Sequence, residues 1–166
     1  GRLKKERRDT TIVAVGDRVQ WEAVSDGSYV IEDVLERDRA LARLRPLASG
    51  RGSRRWDRRG YLREREQVII ANPDQVVFVI ACAEPEPRLK MLDRLLVGAE
   101  RQAIPPVICA NKIDLVGPDK AARLFGIYEQ IGYRVIFTSA RTGEGVDKLR
   151  ATLKDKMSAL IGPSGV

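Results

Sequence analysis

Three short stretches of this chain carry residue types that could do chemistry together. The first is Asn111-Lys112-Ile113-Asp114, directly after the apolar run "PVICA". An ionised Asp114 only accepts hydrogen bonds, so it can take both the N1–H and the exocyclic 2-amino group of a guanine, a bidentate contact that adenine cannot offer. Lys112 would lay its aliphatic stem along the base, and Asn111 would tie neighbouring loops together. Four residues with one free position also recur by chance as a polar turn; the place immediately after an apolar run favours the chemical reading. The second stretch is Thr138-Ser139-Ala140, followed by "RTGEGVDKL". The small Ser139-Ala140 pair lets backbone N–H groups approach a purine carbonyl oxygen, and Gly143 and Gly145 permit a tight entry into a following helix. Ser-Ala is a common dipeptide, so its weight comes from sharing a base with Asp114. The third stretch, Gly162-Pro163-Ser164-Gly165-Val166, matches the opening of G-x-x-x-x-G-K-[ST], a loop whose backbone N–H groups surround phosphates. By itself it would read rather as a flexible Gly/Pro tail; its weight comes from standing beside the other two stretches.

The elements that must position these stretches form a regular pattern. From Gln75 onward, apolar runs at 76–82 ("VVFVIAC"), 106–110, 134–139 ("RVIFTS") and 158–162 ("SALIG") alternate with helical periodicity. Such alternation signals a parallel sheet covered by helices, and in open sheets of this kind ligands bind beyond the C-terminal ends of the strands. Leu92, Leu95, Leu96, Ala99 and Ala103 recur at helical spacing, as do Leu124, Phe125, Tyr128 and Ile131 after a Gly117-Pro118 start signal. A third helix is predicted over 146–156, with Val146, Leu149 and Leu153 inward. These stripes read as core faces. Cys82 and Cys109 lie inside apolar runs and read as buried, reduced thiols rather than a disulfide.

The first 70 residues differ. "TIVAVGDRVQWEAV", "SYVIEDVLE" and "EQVIIANPDQVV" are Val/Ile-rich runs broken by Gly-Asp, Asp-Gly-Ser and Asn-Pro-Asp, which predicts small antiparallel strands and a β-barrel. The expected division is therefore a barrel over 1–70 and an α/β domain over 71–166. Charge is concentrated in the first part: between Arg37 and Arg65 stand eleven arginines, no lysine and three acids, within a chain of net charge +7. Arg51, Arg54, Arg55, Arg58 and Arg59, with Trp56 among them, suit RNA, because guanidinium planes pair with phosphates and stack on bases. A solvated basic loop is the bland alternative.

Several classes are disfavoured. No apolar run approaches the roughly 20 residues of a membrane span, and no apolar segment follows the basic "GRLKKERRDT", so a cytoplasmic protein without a membrane partner is expected. With no histidine and two separated cysteines, a metal site within these residues is not expected. A dinucleotide enzyme of Rossmann type would carry G-x-G-x-x-G where "IACAEPEP" stands. An RNA-binding barrel with a non-catalytic α/β appendage is the alternative function; it would show no preference for guanine nucleotides.

The order of the motifs is unusual, with Asn111–Asp114 some fifty residues ahead of the phosphate-type loop, as a circular permutation would arrange them. The succession of the barrel, "ANPDQVVFVI", "MLDRLLVGAE", "VICANKIDLV", "TSARTGEGVDKL" and "LIGPSGV" resembles, over the whole chain, the RsgA (YjeQ) family of circularly permuted GTPases that depend on the small ribosomal subunit. The resemblance implies a mixed α/β architecture: an incomplete N-terminal OB-fold-like barrel that meets ribosomal RNA, then part of a circularly permuted P-loop GTPase domain. It implies GTP hydrolysis to GDP and phosphate in late maturation of the small ribosomal subunit, with that subunit and its rRNA as partners of a monomer. Guanine-nucleotide contacts are expected from Asn111, Lys112, Asp114, Ser139, Ala140, Gly162, Pro163, Ser164, Gly165 and Val166. Mg²⁺ would serve the phosphates and zinc a further C-terminal domain, with ligands for neither expected here. On the same resemblance the 166 residues read as a piece of a longer chain, starting partway into the barrel and ending within the phosphate loop. The piece itself is expected to be inactive toward GTP, and no residue in it is assigned as catalytic.

Overall fold

The structure, a computed structural model, describes residues 13–45 and 65–166. The chain separates into two compact units, Gly1–Asn72 and Pro73–Val166.

In the first unit the described residues form two antiparallel pairs. Strand β1 (Val19–Ala23) pairs with β2 (Tyr29–Val34), and β3 (Ala40–Arg45) with β4 (Arg65–Ala71). The β1–β2 turn is set by Asp26, whose Oδ1 accepts from the Ser28 backbone N–H at 2.9 Å and the Ser28 hydroxyl at 2.6 Å, a local competition with regular structure that favours turns. A backbone bond from Leu35 N to Arg18 O extends the β1–β2 pair, one from Ala71 N to Val15 O ties the end of β4 to the segment before β1, and Asn72 donates to Gly16 O while accepting from Asp38 N. Val34, Leu41, Val68 and Ala71 are buried. Arg37 Nε lies 2.6 Å from Asp17, whose side chain is almost fully buried, so this first arginine of the basic stretch is engaged in an ion pair within the unit. Two details differ from the sequence reading. Of the run 11–24, the described residues become strand only from Val19, because Gly16 at φ 87 turns the chain. Strand β3 ("ALARLR") went unpredicted, since Ala, Leu and Arg are helix formers and only pairing with β4 makes them extended.

The second unit is a four-stranded parallel sheet of order β7-β6-β5-β8, built from β5 (Gln75–Ala81), β6 (Pro106–Asn111), β7 (Arg134–Phe137) and β8 (Ser158–Ile161). Helices α1 (Leu89–Arg101), α2 (Pro118–Gln130) and α3 (Val146–Leu153) connect them. Val77, Val107, Cys109 and Ile136 form one face of the sheet, with Leu149 and Leu153 of α3 packed on it. The alternate residues Val76, Phe78, Ile80, Ile108 and Ala110 are buried on the other side, which is why these strands read as continuous apolar runs. Leu92, Leu96 and Ala99 of α1 and Ala121, Phe125 and Tyr128 of α2 are buried as well. Truncating a fully buried Leu92 to alanine would cost about 2–5 kcal/mol.

The helix predictions need trimming at their ends. Ala103 lies past α1 at φ 52 and is exposed, its expected core place being taken by buried Ile104. Ile131 lies past the end of α2 and is 63% exposed. Helix α3 stops at Leu153, three residues before the predicted end, as Lys154 adopts an extended ψ of 132°. Gln75, a polar residue inside β5, is satisfied by donating to Thr152 O at 2.9 Å and Ser158 Oγ at 2.8 Å, which ties β5 to α3 and β8.

Candidate functional site

Because all four strands run parallel, the loops that follow them open on one edge of the sheet. Asn111 ends β6 and is buried. Its Oδ1 accepts from the Thr138 hydroxyl and from the Ala140 backbone N–H, both at 3.1 Å, and so fastens the loop after β7 to the end of β6. Backbone bonds from Thr138 N to Ala110 O and from Ile113 N to Thr138 O close the same seam. Lys112 then turns the chain with φ 65, a left-handed conformation rarely adopted by a side-chain-bearing residue and most often retained at functional loops. Its ammonium donates to Glu84 O, in the loop after β5, and to Gly165 O, in the loop after β8. One lysine thus spans three strand ends.

The reversal at Lys112 and the 3-10 turn Ile113–Leu115 bring Asp114 over the loop after β7. Asp114 Oδ1 accepts from the hydroxyl of fully buried Ser139 at 2.6 Å, and Oδ2 lies 3.0 Å from Arg141 Nε. The Ser139 hydroxyl, itself accepting from Thr142 N at 3.2 Å, holds the Asp114 carboxyl below the usual carboxylate range, and the Arg141 guanidinium acts in the same sense. Asp114 is therefore an ionised acceptor across the neutral range.

Two glycines are required by this packing. Gly145 opens α3 at φ 71, and a Cβ there would stand 1.9 Å from Phe137 O, at the end of β7. Gly162, just past β8, lies so close to β5 that a Cβ would stand 2.3 Å from Val79 O. Neither strand end could be approached as closely by another residue.

Between these loops lies a cavity of about 320 Å³. Asn111, Lys112, Asp114 and Leu115 line it from β6, Ala140 and Arg141 from the loop after β7, and Val166 from the loop after β8. Of the residues singled out from sequence, Asn111, Lys112, Asp114, Ala140 and Val166 converge on it. Ser139 stands behind Asp114. Gly162 and Gly165 shape the loop after β8, whereas Pro163 and Ser164 are not among the lining residues. Arg51, Arg54, Arg55, Trp56, Arg58 and Arg59 lie outside the described residues. Sequence reasoning passed over Arg141, Leu115 and Thr138 as site residues; for Arg141 the available signal was its place next to Ala140.

The cavity offers a planar ligand a carboxylate acceptor and an aliphatic lysine stem, two of the contacts that suit a guanine, while the Ala140 N–H at its wall is bonded to Asn111 Oδ1. Both cysteines are free and buried; burial pushes the Cys109 thiol up, and burial with Cys109 nearby raises Cys82 to about 11, so neither is a thiolate at neutral pH. Among the described residues no group of three or more His, Cys, Asp or Glu could hold a metal ion. No helix among them is long and apolar enough to cross a membrane.

Comparison with known proteins agrees with this geometry. The chain is 41% identical over 168 residues to the small ribosomal subunit biogenesis GTPase RsgA of Gemmatimonas aurantiaca, covering 100% of this chain and 50% of that protein. It is 35% identical to the protein of the same name from Caldanaerobacter subterraneus subsp. tengcongensis, covering 98% of this chain and 47% of the other. Among solved structures, YjeQ from Thermotoga maritima superposes with a TM-score of 0.69 at 31% identity, over 99% of this chain and 49% of that one. YloQ, described as a circularly permuted GTPase, gives a TM-score of 0.64 at 26% identity, over 98% and 49%. The chain thus spans about half the length of the relatives it matches. The model of the RsgA GTPase family matches residues 55–166, a stretch that includes every strand, helix and loop of the cavity, and the chain belongs to that family.

Proposed function

We propose that residues 73–166 form the base-recognition half of a guanine-nucleotide site, in a protein that hydrolyses GTP to GDP and phosphate during maturation of the small ribosomal subunit. The observation that carries this reading is Asp114, an ionised carboxylate held by Ser139 at the wall of a base-sized cavity. Asp114 accepts from guanine N1–H and the 2-amino group, Lys112 lies along the ring, and the Ala140 N–H, bonded to Asn111 Oδ1 in the structure, is shared with the purine oxygen when the base is bound. Gly162 to Val166, at the end of β8, begin the loop that receives the phosphates. Phosphoryl transfer of this kind depends on positioning and charge stabilisation, and Mg²⁺ would supply charge neutralisation at the phosphates through ligands outside the described residues. The names of the relatives support the small ribosomal subunit as partner. In the same reading the antiparallel first unit is part of an OB-type barrel that meets rRNA through Arg51, Arg54, Arg55, Trp56, Arg58 and Arg59, and zinc belongs to a C-terminal domain.

Asp114→Asn tests the base assignment. The amide would set a donor against the guanine 2-amino group, which costs on the order of 1–3 kcal/mol, roughly ten- to hundredfold in affinity. Xanthine has a carbonyl at that position, so the variant should gain relative affinity for xanthosine nucleotides. GDP and XDP titrations of the full-length wild type and variant decide it: an unchanged ranking of the two nucleotides in a folded variant refutes the role of Asp114.

A further inference from the structure

Helix α1 carries an arrangement of charge that its own stability does not explain. Lys90, Arg94, Val97 and Arg101 follow one another at helical spacing and fall on a single exposed stripe, opposite buried Leu92, Leu96 and Ala99, with exposed Arg88 at its head. The two acids of the helix are turned aside. Asp93 accepts from the hydroxyl of Tyr128 at 2.7 Å and Glu100 from that of Tyr133, so both face α2 and its C-terminal turn. None of the four cations has a hydrogen-bonded or ion-paired partner among the described residues. Local physics opposes the pattern: Arg88 and Lys90 stand at the positive end of the helix dipole, α1 has no acid in its first turn, and Lys90 and Arg94 repel one another at i,i+4. Only Arg101, in the last turn, favours the helix.

Beside the head of the stripe lies an open depression of about 530 Å³ lined by Pro87, Arg88, Leu89, Lys90, Met91 and Arg94. Glu84 and Glu86 are kept apart from it, in a neighbouring hollow with Lys120. The stripe runs about 16 Å from Lys90 to Arg101, at 1.5 Å per residue. Its cations are mostly guanidinium, whose fork matches phosphate oxygens, and Val97, 56% exposed, interrupts them with an apolar contact suited to a ribose.

We propose that the outward stripe of α1, Arg88, Lys90, Arg94 and Arg101, docks on the phosphate backbone of a folded RNA, a contact made by the α/β unit separately from the arginine-rich segment of the first unit. An acidic protein surface is the competing class; the alternation of fork-shaped cations with an apolar contact along a line favours the RNA backbone. The proposal goes beyond the nucleotide reading, and only its fold control, GDP affinity, rests on that reading.

The test uses the full-length protein with all four cations changed to Glu and, as a milder form, to Gln. A control carries the same changes at Arg123, Arg134, Lys148 and Lys156, four exposed cations elsewhere in the unit. Binding to purified small ribosomal subunits and to a folded ribosomal RNA hairpin is measured across a salt series, with GDP affinity as the index of an intact fold. The stripe variants should bind both RNA-bearing probes at least tenfold more weakly. Their dependence of log affinity on log salt should flatten by about 0.7–0.9 for each phosphate no longer neutralised, about 3 for all four, with GDP affinity unchanged. Equal weakening in the control, or unchanged affinity and slope in the stripe variants, would overturn the proposal. Weakened binding to subunits with undiminished binding to the free hairpin would assign the stripe to a protein surface instead. Should the Glu variant lose GDP binding through misfolding, the Gln variant decides by the same criteria.

Discussion

The closeness of the strand ends makes a quantitative prediction for three glycines. Gly143 has φ 85 with open space where a Cβ would go, so Gly143→Ala isolates the cost of a left-handed alanine, about 1–2 kcal/mol. Gly162 has an ordinary φ but a Cβ there would meet Val79 O at 2.3 Å, so Gly162→Ala isolates overpacking, about 1–3 kcal/mol. Gly145 combines both, with φ 71 and contacts of 1.9 Å to Phe137 O and 3.3 Å to Thr138 Cα, all backbone atoms that cannot swing aside. Gly145→Ala should therefore cost roughly 2–5 kcal/mol. The damage should be local, because the turn it opens is stitched to the site by Ser139 N to Glu144 O at 2.9 Å and Gly143 N to Ser139 O at 2.8 Å. Since a two-unit protein need not melt in one step, the assay is native-state hydrogen exchange resolved by peptide over residues 134–153, which reads local opening free energies. If Gly145→Ala protects those amides as well as Gly143→Ala does, the close approach of Gly145 to the end of β7 is wrong.

Carboxyl NMR of Asp114 should show a titration below its ordinary range, moving upward in Ser139→Ala and, by less, in Arg141→Ala; equal midpoints in all three would refute the assigned cause. Because the folded value is the lowered one, the stability this group contributes is fully present above about pH 4 and is lost only as pH falls through the folded value, so stability at pH 6–8 should not depend on it titrating. Replacing Arg51, Arg54, Arg55, Arg58 and Arg59 by Gln in the full-length protein should weaken subunit binding and flatten its salt dependence by roughly 0.7–0.9 for each phosphate left unpaired; an unchanged slope would leave that segment a solvated loop. Cys82 and Cys109 should resist alkylation in the native state at pH 7.5 and react promptly in denaturant; rapid native labelling would contradict their burial.

What was legible in the sequence follows from what each signal depends on. The central strands β5 and β6 announced themselves because burial on both faces leaves continuous apolar runs, and Gly117-Pro118 marked the start of α2 because proline suits the first helical turn. Strand β3 was hidden because its residues favour helix and its extended form is imposed by a partner distant in sequence. The ends of α1 and α2 were overrun by counting Ala103 and Ile131, since periodicity continues past a helix wherever the next apolar residue happens to fall in phase. In the site, Asn111, Lys112 and Asp114 could be read from one tetrapeptide, but the Asp114–Arg141 pair could not, because it joins loops after different strands and depends on the left-handed turn at Lys112.

The same contacts bear on how the base pocket is held. The bonds from Asn111 to Thr138 and Ala140, and from Ser139 and Arg141 to Asp114, lie between the end of β6 with its loop and the loop after β7, whose strands are adjacent in the sheet. The loop after β8 enters the arrangement differently, through the Lys112 ammonium at Gly165 O and the close approach of Gly162 to β5. The proposed base-recognition half is thus built on one pair of strands, and the loop proposed to receive the phosphates is built on another. Lys112, the residue that reaches both, is also the one in the left-handed conformation. The residues of 111–114 and 162–166, some fifty positions apart in the chain, thus meet at one sheet edge because their strands both neighbour β5, and the Lys112 side chain is what bonds the one stretch to the other.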